Sequence, residues 1–161
     1  MLKLESKLLS MDLMKEIQEL EFKIDGTGTK MAFPQSYGLP FDKPKLMEAV
    51  NEIESIRGLI ALYLMVNWME PGIIADWHQD WLKPSPLQGK NPCLERWHLP
   101  VITNIGSLYF DKIGEVINMK QGIWYGPVKY WEKHKVVNWG IMGRIHIVVD
   151  LDCHKRLGEY E

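Results

Sequence analysis

At 161 residues the chain is long enough for one domain to close a hydrophobic core without crosslinks. Its 19 Lys and Arg against 21 Asp and Glu give a net charge of -2, which excludes a general attraction to nucleic acid or anionic lipid. Only Cys93 and Cys153 are present, far apart and in no CxxC pair, so neither a disulfide scaffold nor a zinc knuckle is expected, and a reducing, cytoplasmic setting is the simpler reading.

Lys3, Glu5 and Lys7 interrupt the leucines at the start, so that segment is expected to be neither a signal peptide nor a membrane span. Ser10 is placed to cap a helix carrying Leu13, Met14, Ile17 and Leu20 at helical spacing, and Asp25-Gly26-Thr27-Gly28 supplies turn chemistry after it. A second apolar series, Leu46, Ala49, Val50, Ile53 and Ile56, follows Asp42 and Pro44 and stops at Gly58. From Leu59 onward the texture changes to short runs rich in Ile, Val, Tyr and Trp, broken by Gly and Pro. About eight strands at sandwich spacing are predicted, over 59–67, 73–79, 96–103, 107–111, 115–119, 122–125, 133–138 and 144–151. Residues 83–92, with three prolines and a glycine, read as an exposed loop. The predicted fold is mainly β, a jelly roll with about two supporting N-terminal helices. It is read as a single domain over 1–161, with helical support at 1–58, the core at 59–151 and a C-terminal tail at 152–161.

His78-Gln79-Asp80 sets an imidazole and a carboxylate two positions apart, which on an extended chain directs both to one face. The pair by itself is a weak signal, since short His and Asp pairs are common in solvated turns. His134 is the candidate third ligand because an apolar strand follows it immediately. Two histidines and a carboxylate form the facial triad of non-haem iron(II) oxygenases, which leaves positions free for an oxoacid and dioxygen. His154, near the charged C-terminus, is read as an ordinary surface residue.

Arg96-Trp97-His98 and Arg144-Ile145-His146 share an R-x-H pattern inside apolar runs. In the second, strand alternation puts Arg144, His146 and Val148 on one face and Ile145, Ile147 and Val149 on the other. If the apolar face packs outward against a second layer, Arg144 points into the barrel and needs an anion there. A dicarboxylate would supply it, one end paired with the guanidinium fork and the other on the metal. The competing reading makes the arginine face the wet side of a sheet, or pairs each arginine with an internal acid such as Glu115.

Over roughly 67–151 the sequence resembles the aspartyl/asparaginyl β-hydroxylase family of Fe(II)- and 2-oxoglutarate (2OG)-dependent oxygenases. The resemblance lies in an ordered series: Met69-Glu70-Pro71-Gly72, His78-Gln79-Asp80, Arg96-Trp97-His98-Leu99, a Gly122-Ile123-Trp124 turn, His134 through Asn138, and Arg144-Ile145-His146-Ile147 running on to Asp150. It implies a double-stranded β-helix of cupin-like form, with Fe(II) at His78, Asp80 and His134 and Arg144 on the distal carboxylate of 2OG. It further implies that Asn67 assists Arg144, and that Arg96 and His98 contact either the near carboxylate of 2OG or an acidic group of the substrate. Some members of the family lack the metal carboxylate; this chain resembles those with a complete triad.

The expected activity is hydroxylation of a C–H bond with 2OG and O2 as cosubstrates. The expected substrate is a small polar molecule such as an amino acid, with an Asp- or Asn-type side chain of a protein as the second choice. The alternative is a cupin-like metal-binding or ligand-sensing protein without oxygenase activity. Trp77, Trp81, Trp97 and Trp124 fall beside the candidate site residues; core packing is the commoner role for such aromatics, and a pocket wall the functional one.

Overall fold

The computed structural model describes residues 1–8, 11–35, 42–80, 93–129 and 131–158. The capping position Ser10, the candidate loop at 83–92 and Trp81 lie outside them. In chain order the elements are β1 (Leu2–Glu5), α1 (Met11–Gln18), β2 (Lys23–Ile24), β3 (Lys30–Gln35), α2 (Pro44–Arg57), β4 (Leu59–Met69), β5 (Ile74–His78), β6 (Leu94–Ile102), β7 (Ser107–Phe110), β8 (Val116–Ile117), β9 (Ile123–Val128), β10 (His134–Asn138) and β11 (Arg144–Arg156).

Among the described residues these strands form two sheets, ordered β1-β9-β6-β11-β4-β3-β2 and β5-β10-β7-β8. Every pairing is antiparallel. Strands β4 to β11 enter the two sheets in the orders β9-β6-β11-β4 and β5-β10-β7-β8, the double-stranded β-helix arrangement of a jelly roll. The fold is therefore mainly antiparallel β with two helices, as the Gly- and Pro-punctuated strand spacing predicts.

The helices cover the outer face of the larger sheet. Leu13 and Ile17 of α1 and Leu46, Ala49, Val50 and Ile53 of α2 are fully buried against Val66, Trp97, Leu99, Ile145, Ile147, Val149 and Leu151. Helix α2 begins with Pro44 at its first turn, where the missing N–H is no loss. It ends at Gly58, whose left-handed φ of 65° lets its N–H close on the Glu54 carbonyl. A smaller apolar cluster of Tyr109, Met119, Tyr125 and Val128 fills part of the space between the sheets. The opposite row of β11, Arg144, His146, Val148, Asp150 and Asp152, is also buried, so this face is an interior and not a wet surface.

Three features depart from the sequence reading. The region 1–58 carries β1, β2 and β3 besides the helices, widening the large sheet at both edges. These strands are short, two to six residues long, and interrupted by lysines and, in β3, a proline, and pairing with an existing edge supplies what their own pattern lacks. Residues 152–156, expected as tail, continue β11, with Asp152 opposite Ile60 and Leu94 and Arg156 opposite Leu59.

The third departure is a correction. Cys93 and Cys153 form a disulfide, where the spacing of the two cysteines reads as offering no disulfide scaffold. They stand 60 residues apart in sequence, but Leu94 pairs with Asp152 across β6 and β11, so antiparallel register brings the next pair face to face. Their Cα atoms are 5.4 Å apart, within bridging range. The reading of a reducing compartment rested on the absence of a disulfide framework and loses that support. No described helix is long and apolar enough to cross a membrane.

Candidate metal centre

The short sheet carries the proposed ligands. His78 closes β5 and is the direct cross-strand partner of His134, the first residue of β10, and their ring centroids lie 4.5 Å apart. Asp80 follows two residues beyond His78. Its Oδ1 is 3.3 Å from His78 Nε2 and 3.5 Å from His134 Nε2, and the three ligand atoms all lie within 4.8 Å of one another. His134 is 4% exposed; His78 and Asp80 are half-buried.

The tautomers are set by the backbone. His78 Nδ1 lies 2.6 Å from the Asp76 carbonyl and His134 Nδ1 lies 2.9 Å from the Glu132 carbonyl. A carbonyl only accepts, so each Nδ1 donates to the backbone, and Nε2 is the nitrogen that each ring turns toward Asp80 and can offer to a metal in exchange for a proton. Gln79 Nε2 donates to the Trp131 carbonyl at 2.6 Å, tying the His78–Asp80 segment to the turn ahead of His134. Tyr109 stacks on the His134 ring with centroids 5.5 Å apart, and burial pushes its phenol up to about 12.

The electrostatics suit a dication. Burial by itself would raise the Asp80 carboxyl, but hydrogen bonds from His134 and His78 and the Arg96 charge hold it far below the usual carboxylate range. Its hydrogen bond in turn raises His78 above the ordinary imidazole value. Ligand binding of this kind exchanges protons for metal, and two imidazoles with one carboxylate are the donor set that a non-haem Fe(II) site uses.

The two arginines have different fates. Arg96 lies directly across from Asp150 in the β6–β11 register. Its Nε and Nη2 donate to the two Asp150 oxygens, both at 2.7 Å, and its Nη1 donates to Asp80 Oδ2 at 2.5 Å. The internal acid is Asp150 and not Glu115, which is exposed on the turn before β8.

Arg144 is 5% exposed, and no carboxylate among the described residues neutralises it. Its neighbours are His146, at 3.1 Å from Nε and 2.8 Å from Nη2, and the Met69 sulfur at 3.8 Å. A neutral imidazole has one acceptor nitrogen, so only one of the His146 contacts is a hydrogen bond. Burial, with no anion opposing it, pushes the Arg144 guanidinium down to about 10. Burial and the Arg144 and Arg96 charges push His98 down to about 3, and burial and Arg144 hold His146 well below the imidazole range. Asn67 is the cross-strand partner of His146, and its Oδ1 is buried without a hydrogen-bond partner.

The predicted site residues therefore gather on the facing inner surfaces of the two sheets. Sequence reasoning missed Asp150, Gln79 and Tyr109. Asp150 was within reach, because the alternation that turned Arg144 and His146 inward turns Asp150 inward as well. Trp97 and Trp124 belong to the core under the helices and Trp77 is largely exposed, so the described tryptophans build no wall between the sheets. His154 is exposed, in keeping with its reading as a surface residue.

No protein-family model and no curated protein sequence matches the chain. Solved structures do resemble it. A prolyl-4-hydroxylase from Pseudomonas putida aligns over 98% of this chain and 92% of its own, at a TM-score of 0.62 and 14% identity. The viral collagen prolyl hydroxylase from Paramecium bursaria Chlorella virus-1, solved as its 2OG complex, aligns over 93% of this chain and 94% of its own, at a TM-score of 0.62 and 11% identity. An oxidoreductase of the 2OG-Fe(II) oxygenase family from Burkholderia pseudomallei aligns over 90% of this chain and 78% of its own, at a TM-score of 0.59 and 9% identity. At these identities the likeness is one of fold.

Proposed function

We propose that this protein is an Fe(II)- and 2OG-dependent dioxygenase, similar to the aspartyl/asparaginyl β-hydroxylases, that hydroxylates a C–H bond of a small polar substrate such as an amino acid. The observation that carries the reading is the buried Arg144 guanidinium, which no carboxylate among the described residues pairs, on the same interior as a two-histidine, one-carboxylate cluster. A buried charge left unpaired is costly, so such a residue is retained for a ligand that completes it. The fold shared with 2OG-Fe(II) oxygenases supports the reading.

In this reading His78, Asp80 and His134 hold the iron, which supplies the oxidising chemistry together with 2OG and O2. Arg144 takes the distal carboxylate of 2OG through its fork. Asn67 contributes an amide N–H after a half-turn about its terminal torsion, which places a donor where its unpaired oxygen now lies. His146 orients the Arg144 guanidinium, and His98, kept neutral at physiological pH by burial and the arginine charges, adds a polar contact without adding charge. These residues bind and orient; pocket shape then selects the C–H bond. A protein side chain is the second substrate class, and two of the fold neighbours are named as prolyl hydroxylases.

The test is anaerobic addition of Fe(II) and 2OG to the full chain. A visible charge-transfer band from metal-bound oxoacid, lost in His134→Ala, is the expected result. A protein that binds zinc but gives no band and forms no succinate in air would instead be a cupin-like binder, and the proposal would fall.

A further inference from the structure

We infer that Arg96, pinned by Asp150, is a positioning residue for the metal carboxylate Asp80 and does not anchor the cosubstrate. The inference rests on the metal reading above and goes beyond it in assigning what Arg96 and Asp150 do.

The guanidinium has one side-on edge and one end-on corner for carboxylates. Its Nε and Nη2 edge is closed by both Asp150 oxygens at 2.7 Å, and its Nη1 reaches Asp80 Oδ2 at 2.5 Å. The edge that pairs bidentately with a carboxylate is thus taken by Asp150, and an acid arriving at the remaining N–H groups would have to sit beside the Asp80 carboxylate. Asp150 and Arg96 are both buried and stand opposite each other in adjacent central strands, so the pair is held by two backbones.

Asp80 has no such frame. It lies beyond the last paired residue of β5, and Arg96 is its link to the large sheet. Because Arg96 takes Oδ2, the other oxygen, Oδ1, is the one turned toward His78 Nε2 and His134 Nε2. The carboxylate is thereby set to offer a cation one oxygen, which leaves a coordination position open for the cosubstrate. The charges agree: two carboxylates share one guanidinium, and the residual negative charge faces the place where a dication would sit.

The experiment titrates the full-length protein with Co(II), reading its visible d–d bands for affinity and coordination number. It then measures 2OG affinity at saturating metal by tryptophan fluorescence. Arg96→Gln and Asp150→Asn are expected to weaken Co(II) binding by about 10–100-fold, the usual cost of losing an outer-shell partner, with altered d–d bands and unchanged 2OG affinity. Arg96→Lys, which can serve one carboxylate at a time, restores part of the loss. Asp150→Asn is decisive because Asp150 touches neither Asp80 nor a ligand histidine. Should a single variant fold poorly by circular dichroism, the double variant Arg96→Gln/Asp150→Asn, which removes both buried charges, must show the same metal defect. Metal affinity equal to wild type together with weakened 2OG binding would overturn the inference and make Arg96 a cosubstrate anchor. A wild-type protein that binds no Co(II) would instead overturn the metal reading itself.

Discussion

Arg144 and Arg96 occupy equivalent places in two R-x-H runs, yet among the described residues one is neutralised internally and the other is not. The difference lies in the neighbouring strand: Arg96 has Asp150 directly across from it, whereas Arg144 has Met69. A thioether cannot balance a charge, so the fold carries Arg144 at a cost that a diacid would offset. Arg144→Met is therefore expected to raise the stability of the ligand-free protein, by about 1–4 kcal/mol on the scale seen when buried ionic groups give way to apolar ones. The same variant should lose 2OG binding. Melting curves with and without 2OG check both halves: wild type gains stability from 2OG and metal, and the variant gains it from metal alone.

Strand β11 shows how one element serves two interiors. Its odd-numbered residues from Ile145 to Leu151 pack under the helices, and its even-numbered ones carry Arg144, His146 and Asp150 between the sheets. A slip of one residue would exchange a hydrocarbon core for a charged one, so register here is strongly specified. The helix that braces this strand is itself constrained by Glu54, whose Oε2 accepts the Ala61 N–H at 3.0 Å at the turn from α2 into β4. Burial raises the Glu54 carboxyl above the ordinary range, and that hydrogen bond offsets only part of it. With a raised pKa the folded state holds the proton to higher pH than the unfolded chain does, so stability falls as pH climbs through the raised value. Glu54→Gln, which keeps an acceptor for Ala61, should melt higher than wild type at pH 8. The advantage should vanish below about pH 4, where both chains carry a neutral side chain; thermal denaturation at the two pH values measures it.

At the scale of the molecule, the disulfide joins the start of β6 to the far part of β11, closing a span of 60 residues that contains strands β7 to β10. Reduction is expected to lower stability by about 2–4 kcal/mol, mostly by freeing the unfolded chain; denaturant melts with and without a thiol reductant would show it. Such long-range effects also mark what was legible beforehand. The strand order along the chain, the two helices with the Gly58 stop, the His78, Asp80 and His134 candidates and the inward face of Arg144 follow from local periodicity and turn chemistry, which each short segment carries within itself. The edge strands β1, β2 and β3 were not legible, because segments this short carry too little alternation of their own and become strands only when a sheet edge offers them partners. The cysteine bridge, the Asp150 clasp on Arg96 and the lack of such a clasp on Arg144 among the described residues depend on which residues face each other across antiparallel register. Register is set by the packing of whole sheets, so residue types and their spacing determined the candidates for this site, and tertiary structure alone decided which of the described charges met a partner and which did not.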